Sequence, residues 1–104
     1  MKTLYVSFLL LLTFSITHAQ WTNQNPVSDS NDLRNVFFVD DNTGWIVGSD
    51  GFITKTTNAG LDWVQQSSGT TLTLTSVMSI NQNTGWISGE GGLILKTTDG
   101  GQNW

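Results

Sequence analysis

Short apolar runs, each ended by Gly, Asn, Asp or Ser, follow one another from residue 33 to the end of the chain. Between residues 33 and 66 four such β-rich runs are separated by turn residues, which is typical of a four-stranded antiparallel sheet. The pattern then begins again at residue 74. It predicts strands over 35–39, 44–48, 52–57 and 62–66, then over 76–80, 85–89 and 93–98, with a further strand barely begun at 103–104.

The two halves of this pattern are copies of one sequence. Residues 33–63 align with residues 74–104 without a gap at an offset of 41, and 15 of the 31 positions are identical. A period of about 40–45 residues is that of one β-propeller blade. We therefore expect one blade repeat over 33–73 and a second, truncated one over 74–104. The identical positions, numbered in the first copy, are Leu33, Val36, Asn42, Thr43, Gly44, Trp45, Ile46, Gly48, Gly51, Ile53, Lys55, Thr56, Thr57, Gly60 and Trp63.

The apolar runs also predict where each strand is buried. Residues 36–39 and 45–47 are apolar in succession, which indicates strands covered on both faces. The third strand alternates, with Lys55 and Lys96 reaching solvent, and the fourth is polar apart from Trp63 and Val64. Burial that falls from the first strand to the fourth is expected of a propeller blade. The predicted fold is all-β, with β-propeller-type repeats of four-stranded antiparallel blades and about two blades present.

Turn residues connect the predicted strands. Asp50-Gly51 and Gly91-Gly92 stand at the tight connection between strands two and three, where both residues need positive φ. The segment that closes each repeat fits the pattern Ser/Thr-x-Asp/Asn-x-Gly-x-x-Trp and resembles the Asp-box, or bacterial neuraminidase repeat. In such a turn an Asx oxygen accepts backbone N–H groups, Gly takes the left-handed position and Trp folds back over the hairpin. The predicted structural Asp-box residues are Thr56, Asn58, Gly60, Trp63, Thr97, Asp99, Gly101 and Trp104.

A longer shared pattern carries a family resemblance. Asn-Thr-Gly-Trp-Ile-x-Gly, followed by x-Gly-x-Ile-x-Lys-Thr-Thr-x-x-Gly-x-x-Trp, occurs twice. It resembles the photosystem II stability and assembly factor family, whose domain is a seven-bladed propeller. The resemblance covers residues 21–104 and implies an incomplete seven-bladed propeller that acts as a binding or assembly scaffold for a protein partner. Family members are thought to bind a reaction-centre precursor through an arginine patch, to which this chain can contribute only Arg34.

The first residues have the pattern of an export signal. Lys2 precedes a mostly apolar run over 4–16, and the small-x-small triplet Thr17-His18-Ala19 comes before Gln20. We expect residues 1–19 to be a cleaved signal peptide and the protein to be secreted, periplasmic or at the cell surface. The alternative, a membrane anchor, is disfavoured because the run is shorter than the ~20 residues of a spanning helix. Residues 20–32 are expected to form an N-terminal strand and a polar loop, and Trp21–Gln24 resembles 63–66.

Charge and residue inventory narrow the function classes. Residues 20–104 hold three basic and eight acidic residues, a net charge of −5, so nucleic acid and anionic membrane surfaces are not expected as partners. They contain no Cys, His or Tyr and only one Arg, which excludes disulfides, His-based zinc sites, Ser-His-Asp hydrolysis and sialidase chemistry. Self-association through open blade faces is a further expectation, because two blades cannot cover their own apolar surfaces.

Three minor alternatives stay open at this point. Two carboxylates from among Asp40, Asp41, Asp50 and Glu90 could act as a glycosidase. The acidic turn at residues 40–42 could hold Ca²⁺, and Trp45 and Trp86 could stack on a sugar. The favoured prediction is an exported scaffold without catalysis, cofactor or metal. The second hypothesis is a carbohydrate-binding or glycosidase-derived Asp-box propeller fragment at the cell surface.

Overall fold

The computed structural model describes residues 20–24 and 30–104. The predicted signal peptide over 1–19 and residues 25–29 of the predicted polar loop lie outside this part of the chain. Within the described residues no helix is long and apolar enough to cross a membrane.

Seven strands form two antiparallel sheets in the described part of the chain. The first sheet has the order β1-β2-β3-β4 and the second has the order β5-β6-β7, so each sheet is a meander of sequence neighbours. This order confirms the predicted antiparallel sheets. The strands are β1 (Leu33–Phe38), β2 (Gly44–Gly48), β3 (Ile53–Thr56), β4 (Val64–Gln66), β5 (Leu74–Ser79), β6 (Gly85–Gly89) and β7 (Ile94–Thr97).

Short 3₁₀ turns connect the second and third strands of each sheet, at Ser49–Gly51 and Glu90–Gly92. Asp50 and Gly51 have φ of 56° and 68°, and Gly91 and Gly92 have φ of 68° and 75°. Positive φ at both central residues was predicted from the turn chemistry and is confirmed. The predicted strand over 103–104 is wrong: the equivalent strand of the first sheet begins only at Val64, after Trp63, so Trp104 still belongs to the turn.

The two sheets pack face to face, with β5 lying against β1 and β2. Register places Phe37 opposite Trp45 and Trp45 opposite Lys55, so these three side chains share the face that meets the second sheet. On the second sheet Val77 is opposite Ile87 and Ile87 is opposite Leu95. The buried residues of the shared core are Trp45, Val47, Ile53, Leu74, Val77 and Ile87, flanked by the partly buried Phe37, Val39, Leu93, Leu95 and Trp104.

The predicted fall of burial from the first strand to the fourth is wrong. All of β2 is buried, whereas five of the six residues of β1 are exposed. Val36 and Phe38 lie on the face of the first sheet that is turned away from the second sheet, and Val36 is 56% exposed. A run of apolar residues does show that both faces of β1 are suited to burial, but the described chain covers only one of them.

Candidate functional site

The first Asp-box turn is closed by its own side chains. Thr56 Oγ1 accepts the backbone N–H of Gly60 at 2.9 Å and donates to Asn58 Oδ1 at 3.1 Å. Asn58 Oδ1 also accepts the backbone N–H of Asp62 at 2.8 Å. Gly60 has φ of 89°, and a Cβ on it would collide with the side-chain oxygen of Gln24. The turn therefore needs a hydroxyl, an Asx oxygen and a glycine at these positions.

The second Asp-box turn repeats this geometry. Thr97 Oγ1 accepts the backbone N–H of Gly101 at 2.8 Å and donates to Asp99 Oδ1 at 2.8 Å. Asp99 Oδ1 accepts the backbone N–H of Asn103 at 2.9 Å. Gly101 has φ of 87°, and a Cβ on it would collide with the side-chain amide of Gln66.

Each turn contains a hydrogen-bonded pair of one side-chain amide and one carboxylate, and the two groups occupy swapped positions in the two turns. Asn58 Nδ2 donates to Asp62 Oδ2 at 2.8 Å in the first, and Asn103 Nδ2 donates to Asp99 Oδ2 at 2.7 Å in the second. The Asn103 amide, with the backbone N–H of Asn103 and the Thr97 hydroxyl, lowers the pKa of Asp99 to about 2. Each turn thus holds one amide and one carboxylate, in opposite order along the chain.

The two box tryptophans have different partners. The Trp63 ring packs edge-on against Phe38 with 6.1 Å between centroids, and its Nε1 is buried without a hydrogen-bond partner among the described residues. Trp104 Nε1 donates to Gln66 Oε1 at 3.2 Å. The second tryptophan therefore ties its turn to the first sheet.

A set of polar contacts, which we call the inter-sheet latch, joins the second box turn to the first sheet. The Gly100 carbonyl accepts a hydrogen bond from Lys55 Nζ at 2.9 Å and another from Gln66 Nε2 at 3.0 Å. Lys55 Nζ also lies 5.0 Å from the centroid of the Trp45 ring. Burial lowers the pKa of Lys55, and the negative charge of Asp99 opposes this shift. The latch residues are Lys55, Gln66, Gly100 and Trp104.

The sequence analysis did not predict the latch, because it expected Lys55 to reach solvent. Two signals for it were present: Lys55 recurs as Lys96, and Trp-x-x-Gln occurs both at Trp21–Gln24 and at 63–66. A lysine inside a strand can cover an aromatic ring with its stem and still bond a carbonyl at the sheet edge. Only the packed structure identifies the carbonyl.

The acidic turn at residues 40–42 is a local hydrogen-bonded turn. Asp40 Oδ1 accepts the backbone N–H groups of Asn42 and Thr43 at 2.8 and 2.7 Å, and its Oδ2 accepts Gln82 Nε2 from the second sheet at 3.0 Å. These bonds, the one from Gln82 first, lower the pKa of Asp40. Among the described residues, no group of three or more acidic, His or Cys side chains is placed to hold a metal ion.

A polar cleft of about 610 Å³ opens at the rim where the first sheet leads into the second. Asp50 and Gly51 form one wall, and residues 65–71 form the other. Ser68 Oγ donates to the Thr70 carbonyl at 3.1 Å, which holds the second wall in a tight turn. The cleft presents amides and hydroxyls, with Asp50 as the carboxylate among its lining residues.

An apolar groove of about 560 Å³ lies on the other side of the first sheet, on the face turned away from the second sheet. Its floor includes Val36, Phe38 and Ile46, and Trp21 and Trp63 flank it. A smaller apolar cavity of about 290 Å³ lies on the outer face of the second sheet, beside Met78, Trp86 and Ile94. Both outer faces of the pair of sheets are therefore apolar.

Comparison with known proteins identifies the repeat. Residues 14–104 match the family model of the photosynthesis system II assembly factor YCF48. Among curated proteins no significant match to the sequence is found.

A solved structure of YCF48 bound to a D1 peptide is similar to this chain, with a TM-score of 0.61 and 34% sequence identity. The similarity covers 71% of this chain and 24% of that one, so the chain spans about a quarter of the length of the solved relative. The two sheets described above are accordingly propeller blades, and the all-β partial propeller predicted from the repeats is confirmed. The chain belongs to the family of the photosynthesis system II assembly factor YCF48.

Proposed function

We propose that this protein is an exported, non-catalytic propeller module that binds an extended segment of a protein partner in the polar cleft at the rim of its first blade. The observation that carries the proposal is the cleft itself, an open space of about 610 Å³ lined by Asp50, Gly51 and residues 65–71. The YCF48 relative, whose structure was solved with a D1 peptide, supports a peptide as the ligand class.

The chemistry of the cleft suits a peptide backbone. Amides and hydroxyls can both donate and accept, so Gln65, Ser67 and Thr71 can match the alternating N–H and C=O groups of an extended segment. Such hydrogen bonds recognise the backbone of the bound segment more than its side chains. Asp50 and the net negative charge favour a neutral or basic segment over an acidic one.

A titration with the D1 peptide tests this proposal. The labelled peptide is followed by fluorescence anisotropy against the purified chain and against Ser67→Trp, which fills the cleft with an indole from an exposed position. We expect Ser67→Trp to weaken binding at least about tenfold, the equivalent of 1.4 kcal/mol. The control, Thr98→Trp, also starts from an exposed position but does not line the cleft, and its affinity should stay within about twofold. Equal affinities of the two variants, or no binding by the parent chain, would overturn the proposal.

Export rests on the pattern of residues 1–19. Mass spectrometry of the exported protein should find Gln20, free or cyclised, as the first residue. An intact Met1 in that material would contradict export by a cleaved signal. The non-catalytic role rests on residues 20–104 containing no His, Cys or Tyr.

Glycan binding, the alternative, has weaker support from the positions of the tryptophans. Trp45 is 1% exposed and packs between the sheets, so it offers no face to a sugar. Trp86 is partly exposed, with Lys96 Nζ 5.7 Å from its ring centroid. A glycan array separates the hypotheses, because specific sugar binding that is lost in Trp86→Ala would favour the glycan.

A further inference from the structure

We propose that Asp50 makes the polar cleft selective for a segment that carries a lysine or arginine side chain, whose cationic group forms an ion pair with the Asp50 carboxylate. This selectivity rests on the proposed function, because it requires a peptide segment in the cleft. Its support is the backbone conformation of Asp50, the state of its carboxylate and the composition of the opposite wall.

Asp50 occupies a backbone conformation that suits glycine better. Its φ is 56° and its ψ is 32°, in the left-handed region that a Cβ disfavours. The offset of 41 carries Asp50 onto Gly91, which takes a similar conformation with φ of 68° and ψ of 21°. The second copy of the turn therefore forms without a side chain at this position. The Asp50 side chain is not needed to close the turn, and residues held in an unfavourable conformation are concentrated at functional sites.

The residue before Asp50 fixes the turn. Ser49 Oγ accepts the backbone N–H of Asp32 at 2.8 Å, and the Ser49 N–H donates to the Asp32 carbonyl at 2.9 Å. The Ser49 carbonyl accepts Asn31 Nδ2 at 2.8 Å and the backbone N–H of Phe52 at 3.1 Å. The N–H, the carbonyl and the hydroxyl of Ser49 are all engaged, so the backbone that carries Asp50 is in place before a ligand arrives.

The carboxylate of Asp50 has no hydrogen-bond or ion-pair partner among the described residues, although it is exposed and lines the cleft. The carboxylates of the two Asp-box turns are engaged, since Asp62 accepts Asn58 Nδ2 at 2.8 Å and Asp99 accepts Asn103 Nδ2 at 2.7 Å. Asp50 can therefore bind a cation without first giving up an internal contact. A charge-assisted hydrogen bond of this kind is stronger than one between neutral groups.

The wall opposite Asp50 offers oxygen atoms and no competing cation. Residues 65–71 carry amide oxygens and hydroxyls, and neither Lys nor Arg lines the cleft. The two walls are in contact, because a Cβ on Gly51 would collide with the Thr70 carbonyl oxygen. Ammonium and guanidinium groups have several donors and no acceptor, so the donors that Asp50 does not use can bind the oxygens of this wall. A neutral side chain would leave the carboxylate without an ion pair, and an acidic one would be repelled.

Glu90 provides a matched control within the chain. It belongs to the equivalent turn of the second sheet, is exposed, and does not line the cleft. Asp50→Asn and Glu90→Gln each remove one negative charge at an exposed site. A general effect of net charge on a cationic peptide would therefore act on both variants, whereas an ion pair in the cleft is lost only in Asp50→Asn. Asn tolerates the left-handed conformation as Asp does, so the fold should be kept and is verified by circular dichroism.

Fluorescence anisotropy with labelled peptides tests the selectivity. The peptides share the host sequence acetyl-Gly-Thr-Ser-X-Ser-Thr-Gly-amide and carry Lys, Arg, Gln or Glu at X. We expect the parent chain to bind the Lys or the Arg peptide at least about threefold more tightly than the Gln peptide, with the Glu peptide weakest. The tighter of the two cationic peptides identifies the preferred group. Asp50→Asn should abolish the preference over Gln, and Glu90→Gln should keep it.

The Ser67→Trp variant separates this selectivity from peptide binding itself. If the peptides bind and lose affinity in Ser67→Trp, but the parent does not prefer a cationic peptide, the selectivity is overturned and the cleft remains the peptide site. The same conclusion follows if Asp50→Asn keeps the preference, or if Glu90→Gln loses as much of it. If the parent binds none of the peptides, or if Ser67→Trp binds them as the parent does, both the selectivity and the peptide site are overturned.

Discussion

Gly101→Ala is the substitution that measures the inter-sheet latch most directly. Gly101 has φ of 87°, and a Cβ there would meet the side-chain amide of Gln66. The left-handed conformation costs an L-residue about 1–2 kcal/mol. The Gln66 side chain can swing away, but it then loses its bonds to the Gly100 carbonyl and to Trp104 Nε1, each worth about 0.5–1.5 kcal/mol. We expect a total loss of about 2–5 kcal/mol.

Gly69→Ala is the matched control. Gly69 has φ of 75°, close to that of Gly101, and a Cβ on it would meet no atom within 4 Å. This variant carries the backbone cost alone, about 1–2 kcal/mol. The effect of Ala on the unfolded chain is shared by both variants and cancels in their difference. That difference, about 1–3 kcal/mol, isolates the contacts of Gln66.

Urea unfolding followed by tryptophan fluorescence gives the free energies, and repeating it in a Gln66→Ala background completes a double-mutant cycle. In that background Gly101→Ala should cost no more than Gly69→Ala, because the side chain that collides is gone. Equal costs of the two glycine variants in the parent chain would show that the latch adds no stability. An excess cost that persists without Gln66 would place the collision in the backbone and refute the reasoning.

The other predictions concern charges. Lys55→Met should lower the free energy of unfolding by about 1–2 kcal/mol through the lost bond to the latch carbonyl, whereas Lys96→Met should leave the urea midpoint of the monomeric chain unchanged. The pKa of Asp99 is about 2 in the fold against an ordinary 3.8, so its contribution to stability is complete above about pH 4 and is lost as the pH falls through 2. Asp99→Asn should therefore flatten the fall of melting temperature between pH 4 and pH 2. Asn58→Asp should lower the melting temperature, because it sets a second carboxylate beside Asp62. Adding Asp62→Asn should restore the melting temperature, because the double variant has the carboxylate first and the amide second, as in the other turn.

The repeat made the fold predictable from the sequence, but it did not make the distribution of burial predictable. Two copies of one pattern fix the strand order and the turn positions, since each strand must bond to its sequence neighbours through short connections. Burial depends on which faces find a partner. Val36 and Ile46 have side chains suited to a core, yet Val36 is exposed while Ile46 is buried. Apolar character alone could not separate them.

The candidate sites also differ in whether the sequence could predict them. The contacts of Thr56, Asn58 and Gly60 lie within five residues, so local turn chemistry sufficed to select them. The latch joins Lys55 to a carbonyl 45 residues away, and the polar cleft joins Asp50 to residues 65–71. The latch depends on how the two sheets pack, and the cleft depends on how the chain after β4 returns past the turn that follows β2. A single sequence specifies neither arrangement.

The box glycine therefore serves two physical needs at once. Within the turn it takes positive φ, which Asn or Asp could also accept at moderate cost. Beyond the turn it leaves room for the end of a glutamine side chain from another segment, at Gly60 as well as at Gly101, and a Cβ would force that side chain to move. A turn that only had to reverse the chain would need only the first property. The second is useful only where another segment of the chain lies against the turn. The box is therefore a docking element as well as a hairpin closure, and at the first box the segment at residues 20–24 lies in the docking position.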